Sequence, residues 1–369
     1  MKDSSFGIAL IGCGAITKKG HVPGLVEGPL AWRGACDLHR DQVLARVETA
    51  REEFGDDAVA DVATTTDHHE LLARDDIHVV DIATPPMAHT PLVLDALAAG
   101  KHVLCEKPSA LDVQENKQVL AALEGTNLTV QYYSSRFRSN IAEEARTLIA
   151  EGGLGRILRV DVQFWGLRGR ACDKPNAPLW FGDKRLAGGG AFMDMGQYFL
   201  DQAFHILGWP KVLRVTASDY YGTDRGLHPD CHWDVEDHMA MQADLADNIC
   251  LTLDTTQRVN QHWRWGITFM GTEGCLQLDR TADVPWILRR MAVDGTLKEE
   301  RRNDFDKQPR DIDRRLEAMA DILNGKESDP AKRIADIGTD AHQALFIGEL
   351  CDRAYRSAAE QRPIIGAAK

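Results

Sequence analysis

The sequence predicts an α/β half followed by an α+β half: a doubly wound parallel sheet, then a domain with a large open sheet of mixed or antiparallel strands. Three observations carry that expectation. Up to residue 137, short apolar runs alternate with stretches of helical spacing, as in βαβ units. Beyond it, strand-like runs follow one another with one long helical interruption at 192–207. At 369 residues the chain is also too long for one ordinary core, so two domains are expected, 1–137 and 138–369.

Residues 6–11 form an apolar strand that ends in Gly12-Cys13-Gly14-Ala15-Ile16-Thr17, and a helical stretch then runs toward Leu25, interrupted near Pro23. Glycines at 12 and 14 permit a tight turn and a close approach of the backbone. The helix start, with Ala15 and Ile16, offers unpaired N–H groups, an arrangement suited to a pyrophosphate. Thr17 is larger than the small residue usual at the third position of such a turn. Strand 31–36 ends at Asp37, where a dinucleotide site places a carboxylate on the ribose hydroxyls. That carboxylate would repel a 2′-phosphate, so NAD is expected over NADP, although Arg40 lies close enough to weaken the preference.

An amphipathic helix covers 40–54, and a strand lies within 76–83. Thr84-Pro85-Pro86 caps that strand, and a helix at 87–99, carrying His89, returns to a strand at 103–105. Glu106, Lys107 and Pro108 emerge at its carboxyl end, the edge at which open parallel sheets bind ligands. Proline stops the strand and holds the lysine at a fixed bend. Alone, such a tripeptide is an ordinary surface turn; its place beside a glycine turn singles Lys107 out. Helix 112–123 and strand 128–131 complete the first domain.

In the second half a helix at 140–150 precedes strands at 157–165, 212–220, 235–246, 249–257, 265–270 and 275–278, and helices at 312–323 and 334–355 close the chain. After Gly188-Gly189-Gly190, Asp194 and Tyr198 stand four apart, so a helix would present both on one face. Trp165, Arg168, Arg170, Trp180 and Phe181 precede the glycine run and could supply stacking surface and guanidinium donors. Gln131, Arg136 and Phe137 sit at the domain junction; of these two groups Arg168, Trp180, Arg136 and Gln131 are the candidate substrate contacts. The segment 228–238 is dense in metal-ligand types, including His228, Cys231 and His232, but it runs into a strand, and no metal is expected.

A net charge of −13, from 43 Lys and Arg against 56 Asp and Glu, argues against nucleic acid or an anionic membrane surface as partner. Eight cysteines without C-x-x-C spacing read as small apolar fillers in a reducing cytoplasm, and no apolar run reaches the length of a membrane helix.

Together, the glycine turn, Thr84-Pro85-Pro86 with His89, Glu106-Lys107-Pro108 and the run GGGAFMDMGQYFLD at 188–201 resemble the Gfo/Idh/MocA oxidoreductases, the group of glucose-fructose oxidoreductase and inositol dehydrogenase. The resemblance spans both domains. It implies a Rossmann domain binding NAD, with NADP possible, through Gly12, Gly14, Ala15, Ile16, Asp37, Thr84, Pro85, His89, Glu106 and Lys107. It also implies that Lys107 is the catalytic lysine and Asp194 the carboxylate of the family's D-x-G motif. Tyr198 stands where many members carry histidine, as in the glucose-fructose oxidoreductase and dihydrodiol dehydrogenase branches. Oxidising a secondary alcohol requires a proton acceptor while hydride leaves for the nicotinamide. Tyrosine titrates at about 10, and a neighbouring ammonium lowers that value. Lys107 and Tyr198 are therefore expected to act as a proton-transfer pair, with Asp194 orienting the substrate hydroxyl. The expected substrate is a sugar, glycoside or cyclic polyol. Two alternatives share the scaffold: an NAD-assisted redox elimination that cleaves glycosides, and a non-catalytic nucleotide-sensing regulator. A homodimer or homotetramer through the second sheet is expected by resemblance.

Overall fold

The structure, a computed structural model, describes residues 5–134, 139–167, 178–222, 230–259, 263–279, 281–304, 310–326, 329 and 337–366, without the side chains of 167, 258 and 259. The chain divides into two compact units: Met1–Arg136 with Pro309–Leu345, and Phe137–Gln308 with Phe346–Lys369.

The first unit is built on β1 (Gly7–Ile11), β2 (Ala31–Cys36), β3 (Ala63–Thr65), β4 (Val79–Ile82), β5 (His102–Cys105) and β6 (Val130–Tyr132). These six pair in parallel, in the order β6-β5-β4-β1-β2-β3, and Thr339–Asp340 adds an antiparallel edge strand to β6. Alternation along each strand supplies two cores. Ile8, Leu10, Val79 and Leu104 pack on one face with Val43 and Val47 of the helix Arg40–Phe54. Ala9, Ile11, Val80, Val103 and Cys105 pack on the other with Val93 and Leu97 of the helix His89–Ala98. Helices on both faces make the sheet doubly wound.

From the sequence, all of 138–369 is expected in one second domain. In the structure the helix Asp311–Leu323 packs in the first unit, with Ile312, Leu316 and Met319 fully buried in the core beneath β1 and β4. Amphipathic spacing shows that a helix buries a face, not which face receives it.

The second unit carries β7 (Ile157–Leu167), β8 (Val212–Tyr220), β9 (His238–Leu245), β10 (Ile249–Val259), β11 (Arg264–Gly271), β12 (Gly274–Asp279), β13 (Trp286–Met291) and β14 (Leu297–Arg302). The sheet runs β14-β13-β12-β11-β7-β10-β9-β8 and ends on Ile364–Ile365; β7 and β10 are parallel and the other pairs antiparallel. One face, with Val160, Phe164, Met241, Leu253 and Phe269, forms a single core with Phe199 and Phe204 of the helix Gln197–Leu207. The opposite face is polar: Asp161 accepts from Arg159 at 2.7 Å and from Thr252 at 2.5 Å. β14, with the sequence LKEERR, is exposed along nearly its whole length and has no apolar alternation to announce it, which is why pattern reading passed over it. Among the described residues, no helix is long and apolar enough to cross a membrane.

Candidate active site

Register decides what the first sheet presents at its carboxyl edge. Ile11 pairs with Cys36 and Ile82, and Ile82 pairs with Cys105, so Gly12, Asp37, Ala83 and Glu106 leave the sheet side by side. Gly12 has φ +96°, and a Cβ there would lie 2.5 Å from the Ala83 carbonyl oxygen, so the turn requires glycine. Gly14 is different. Its φ is −67° and a Cβ would meet nothing within 4 Å, leaving open space above the backbone. Thr17 is buried, and its hydroxyl donates to the Gly14 carbonyl at 2.7 Å, which satisfies the polar atom that the usual smaller residue lacks. Ala15 and Ile16 are exposed, and no described side chain caps the helix Ala15–Gly20.

Asp37 is fixed by this turn. One carboxylate oxygen accepts the Cys13 N–H at 2.8 Å and the other the His39 N–H at 2.9 Å. Arg46, which no motif in the sequence singles out, has a buried guanidinium that donates to the carbonyls of Cys13 at 3.1 Å and Gly14 at 2.9 Å. With its carbonyls clamped by Arg46, and the N–H groups of Gly12 and Cys13 taken by Cys36 and Asp37, the turn is open at Gly14, Ala15 and Ile16.

His89 was expected to touch the cofactor. It is fully buried, with Nδ1 2.7 Å from the Pro108 carbonyl and Nε2 2.9 Å from the Thr84 carbonyl. It thus packs between the Thr84-Pro85-Pro86 turn and the Glu106-Lys107-Pro108 turn; burial pulls its pKa below that of an ordinary imidazole against the upward pull of the two carbonyls, and a neutral ring donates to one of them. Glu106 accepts the Lys107 N–H at 3.1 Å, and the Lys107–Pro108 peptide is cis.

Behind Glu106 lies a buried cluster that pattern reading also missed. His21 sits with Nδ1 2.7 Å from Asp81 and Nε2 3.4 Å from Glu106. The second oxygen of Asp81 accepts the Tyr133 hydroxyl at 3.0 Å. The available signal was Asp81 itself, a lone carboxylate in the apolar run of β4, which cannot be buried without partners.

In the second unit Asp194 lies in a π-helical turn, Phe192–Gly196, and Tyr198 in the α-helix that follows. The expected single α-helix over 192–207 is therefore wound more loosely at its start, a local departure that often accompanies functional positions. Both side chains are buried, Asp194 at 7% exposure and Tyr198 at 4% within the core. Asp194 accepts from the Gln257 amide at 2.6 Å.

Glu236 organises the turn: its carboxylate accepts the N–H of Gly190 at 2.8 Å, the N–H of Phe192 at 2.9 Å and the Tyr355 hydroxyl at 3.0 Å. Burial raises the Glu236 pKa against the pull of those donors. A Cβ on Gly190 would overlap the Glu236 carbonyl oxygen. Phe181 stacks on Trp180 at 3.8 Å and lines a small cavity with Asp194, Trp233 and Gln257.

Trp165, the last residue of the expected strand 157–165, lies within β7 and donates to Asp254 at 3.1 Å. Gln131, an expected substrate contact, has 0% exposure and packs beneath Gly338, so it presents no surface to a substrate. Arg136 and Arg168 lie outside the described residues, as do Phe137, Arg170 and His228. Among the described residues, potential metal ligands gather at Asp67, His68 and His69 rather than in the 231–238 segment.

Comparison with known proteins identifies the family of both halves of the chain. Residues 6–134 match the oxidoreductase family with an NAD-binding Rossmann fold, and residues 142–277 match the GFO/IDH/MocA C-terminal domain. Levoglucosan dehydrogenase of Pseudarthrobacter phenanthrenivorans is 32% identical over 58% of each chain. That alignment spans little more than half of its length. D-glucoside 3-dehydrogenase of Escherichia coli is 25% identical over 97% of each. A solved levoglucosan dehydrogenase in complex with NADH and levoglucosan superposes with a TM-score of 0.77 at 22% identity, covering 98% of this chain and 99% of that one; at such identity the likeness speaks for the fold. With both halves matched in order, the chain belongs to the GFO/IDH/MocA family of oxidoreductases and carries its NAD-binding Rossmann domain.

Proposed function

We propose that the protein is an NAD-dependent dehydrogenase that oxidises a secondary hydroxyl of a sugar, glycoside or cyclic polyol. The observation that carries the reading is the carboxyl edge of the first sheet, where an open glycine turn and a fixed Asp37 carboxylate stand beside the turn bearing Lys107. The exposed backbone of Gly14, Ala15 and Ile16 fits a pyrophosphate, and Asp37 fits ribose hydroxyls but repels a 2′-phosphate, which favours NAD over NADP. NAD supplies the hydride acceptor.

The chain's own residues handle the proton. In this reading Lys107 and Tyr198 form the proton-transfer pair, and Asp194, held by Gln257, orients the substrate hydroxyl. The relatives named for levoglucosan and D-glucosides support a cyclic sugar derivative as substrate. Trp180 and Phe181 offer it a stacking surface. The buried free thiols of Cys13, Cys36, Cys105 and Cys351 suit a reducing cytoplasm. The polar outer face of the second sheet is the surface on which a second copy would dock.

The test is an assay of purified protein with NAD and NADP against aldoses, inositols and glycosides, read by nicotinamide absorbance. NAD-linked oxidation of at least one of them is expected, and Lys107→Ala should lower kcat by roughly 10²–10⁴-fold with little change in NADH affinity. A normally active Lys107→Ala removes the lysine from the mechanism. NAD that co-purifies stoichiometrically, with no NADH accumulating during turnover, would point instead to redox-assisted glycoside cleavage.

A further inference from the structure

The cluster behind Glu106 has no part in the function as proposed so far, yet it places several ionisable groups where burial is costly. Asp81 lies in the middle of β4 with 0% exposure. His21 joins the helices Ala15–Gly20 and Val22–Glu27 and is 1% exposed. Its ring lies 2.7 Å from Asp81, 3.4 Å from Glu106 and edge-on to the Tyr133 ring at 4.9 Å. Tyr133 donates to Asp81, and the Arg315 guanidinium lies over its ring at 4.5 Å while pairing with Asp311 at 3.1 Å. Glu106 in turn accepts the Lys107 N–H.

The charges can be counted. With His21 neutral, the Asp81 and Glu106 carboxylates would flank its ring with no positive charge between them, which disfavours two anions there. An imidazolium leaves the trio at one net negative charge, matched by the Lys107 ammonium. Geometry favours this form, because both ring nitrogens of His21 face carboxylate oxygens and only the cation has two N–H donors.

We propose that His21 is the positioning residue of the Glu106-Lys107 turn: fixed by Asp81, its imidazolium holds the Glu106 carboxylate as an anion beside Lys107. The inference rests on Lys107 being the catalytic lysine. The electrostatics agree with the geometry. Burial alone would lower the pKa of His21, but the Asp81 and Glu106 carboxylates raise it to about 10. Burial alone would raise that of Glu106, but His21 and Lys107 hold it at about 2. The burial-raised phenol of Tyr133 stays a donor to Asp81 throughout.

One test needs no variant. In 15N-labelled protein the imidazole of His21, assigned through its contacts with the Tyr133 ring, should keep two protonated nitrogens above about pH 8, where an ordinary histidine is neutral. A neutral ring there overturns the proposal. The second test is kinetic. His21→Gln should lower kcat on the order of tenfold with KM for NAD nearly unchanged, and should introduce an acidic limb in the kcat profile as Glu106 begins to titrate. Adding Glu106→Gln should abolish that limb, which a merely structural role for His21 would not produce. If Lys107→Ala is inactive but His21→Gln keeps the wild-type profile, this inference fails and the functional reading stands. If Lys107→Ala is normally active, the lysine leaves the mechanism and takes any role of His21 in turnover with it. Should His21→Gln not fold, the wild-type spectrum decides.

Discussion

Glu236 shows how one side chain converts a glycine run into a rigid turn. Two backbone N–H groups and a phenol converge on its carboxylate, and the π-helical start of the following helix hangs from them. Glu236→Ala would orphan the two buried N–H groups together with the Tyr355 hydroxyl and should cost about 2–5 kcal/mol, measured by denaturant unfolding. The carboxylate also makes stability depend on pH. Its folded pKa is raised by burial, so its contribution is fully present below the unfolded value and declines as pH rises through the folded one. Relative to Glu236→Gln, which does not titrate, the wild type should therefore lose stability across that interval; equal pH slopes would contradict the account. In the sequence Glu236 appeared as one more potential ligand in a metal-like segment. Residue types expose donor sets, but backbone N–H groups that claim a carboxylate leave no mark in a sequence.

At the scale of the element, the strand–glycine turn–helix was legible because its constraint is local: φ +96° at Gly12 admits little besides glycine. The two glycines do different work, however, and only coordinates separate them. Gly12→Ala must force a Cβ against the Ala83 carbonyl and into a left-handed conformation, and should cost at least about 2 kcal/mol of unfolding free energy. Gly14→Ala meets nothing, so stability should stay within about 0.5 kcal/mol. If the space over Gly14 is where a pyrophosphate approaches, NADH affinity should nevertheless fall at least about tenfold, since a methyl group displaces close backbone contacts. Paired denaturation and fluorescence titrations check this. Equal affinity in Gly14→Ala would move the ligand elsewhere. The Arg46 clamp on the same turn and the His89 bridge to Pro108 were beyond the sequence, because each depends on which atoms the fold brings together across long separations.

At the scale of the molecule, the order of strands and helices gave the fold class, and the boundary near residue 137 follows the same change of pattern. What the pattern cannot encode is return: the helix Asp311–Leu323, far along the chain, completes the core of the first unit. Ile312, Leu316 and Met319 are each at 0–1% exposure, and burying three such side chains is worth about 5–9 kcal/mol at roughly 1.5–3 kcal/mol apiece. Arg315, also at 0% exposure, donates to the Tyr132 carbonyl at 2.9 Å, so the helix additionally satisfies the end of β6. That sum is comparable with the whole stability of an ordinary domain, about 5–15 kcal/mol. A fragment of residues 1–136 alone should therefore lack a cooperative unfolding transition and bind hydrophobic dyes, even though it holds every strand of the parallel sheet. Co-expression with 309–345 should restore a sigmoidal denaturation curve and, with it, NADH binding. A cooperatively folded 1–136 fragment that binds NADH would show that the parallel sheet needs nothing from the far end of the chain.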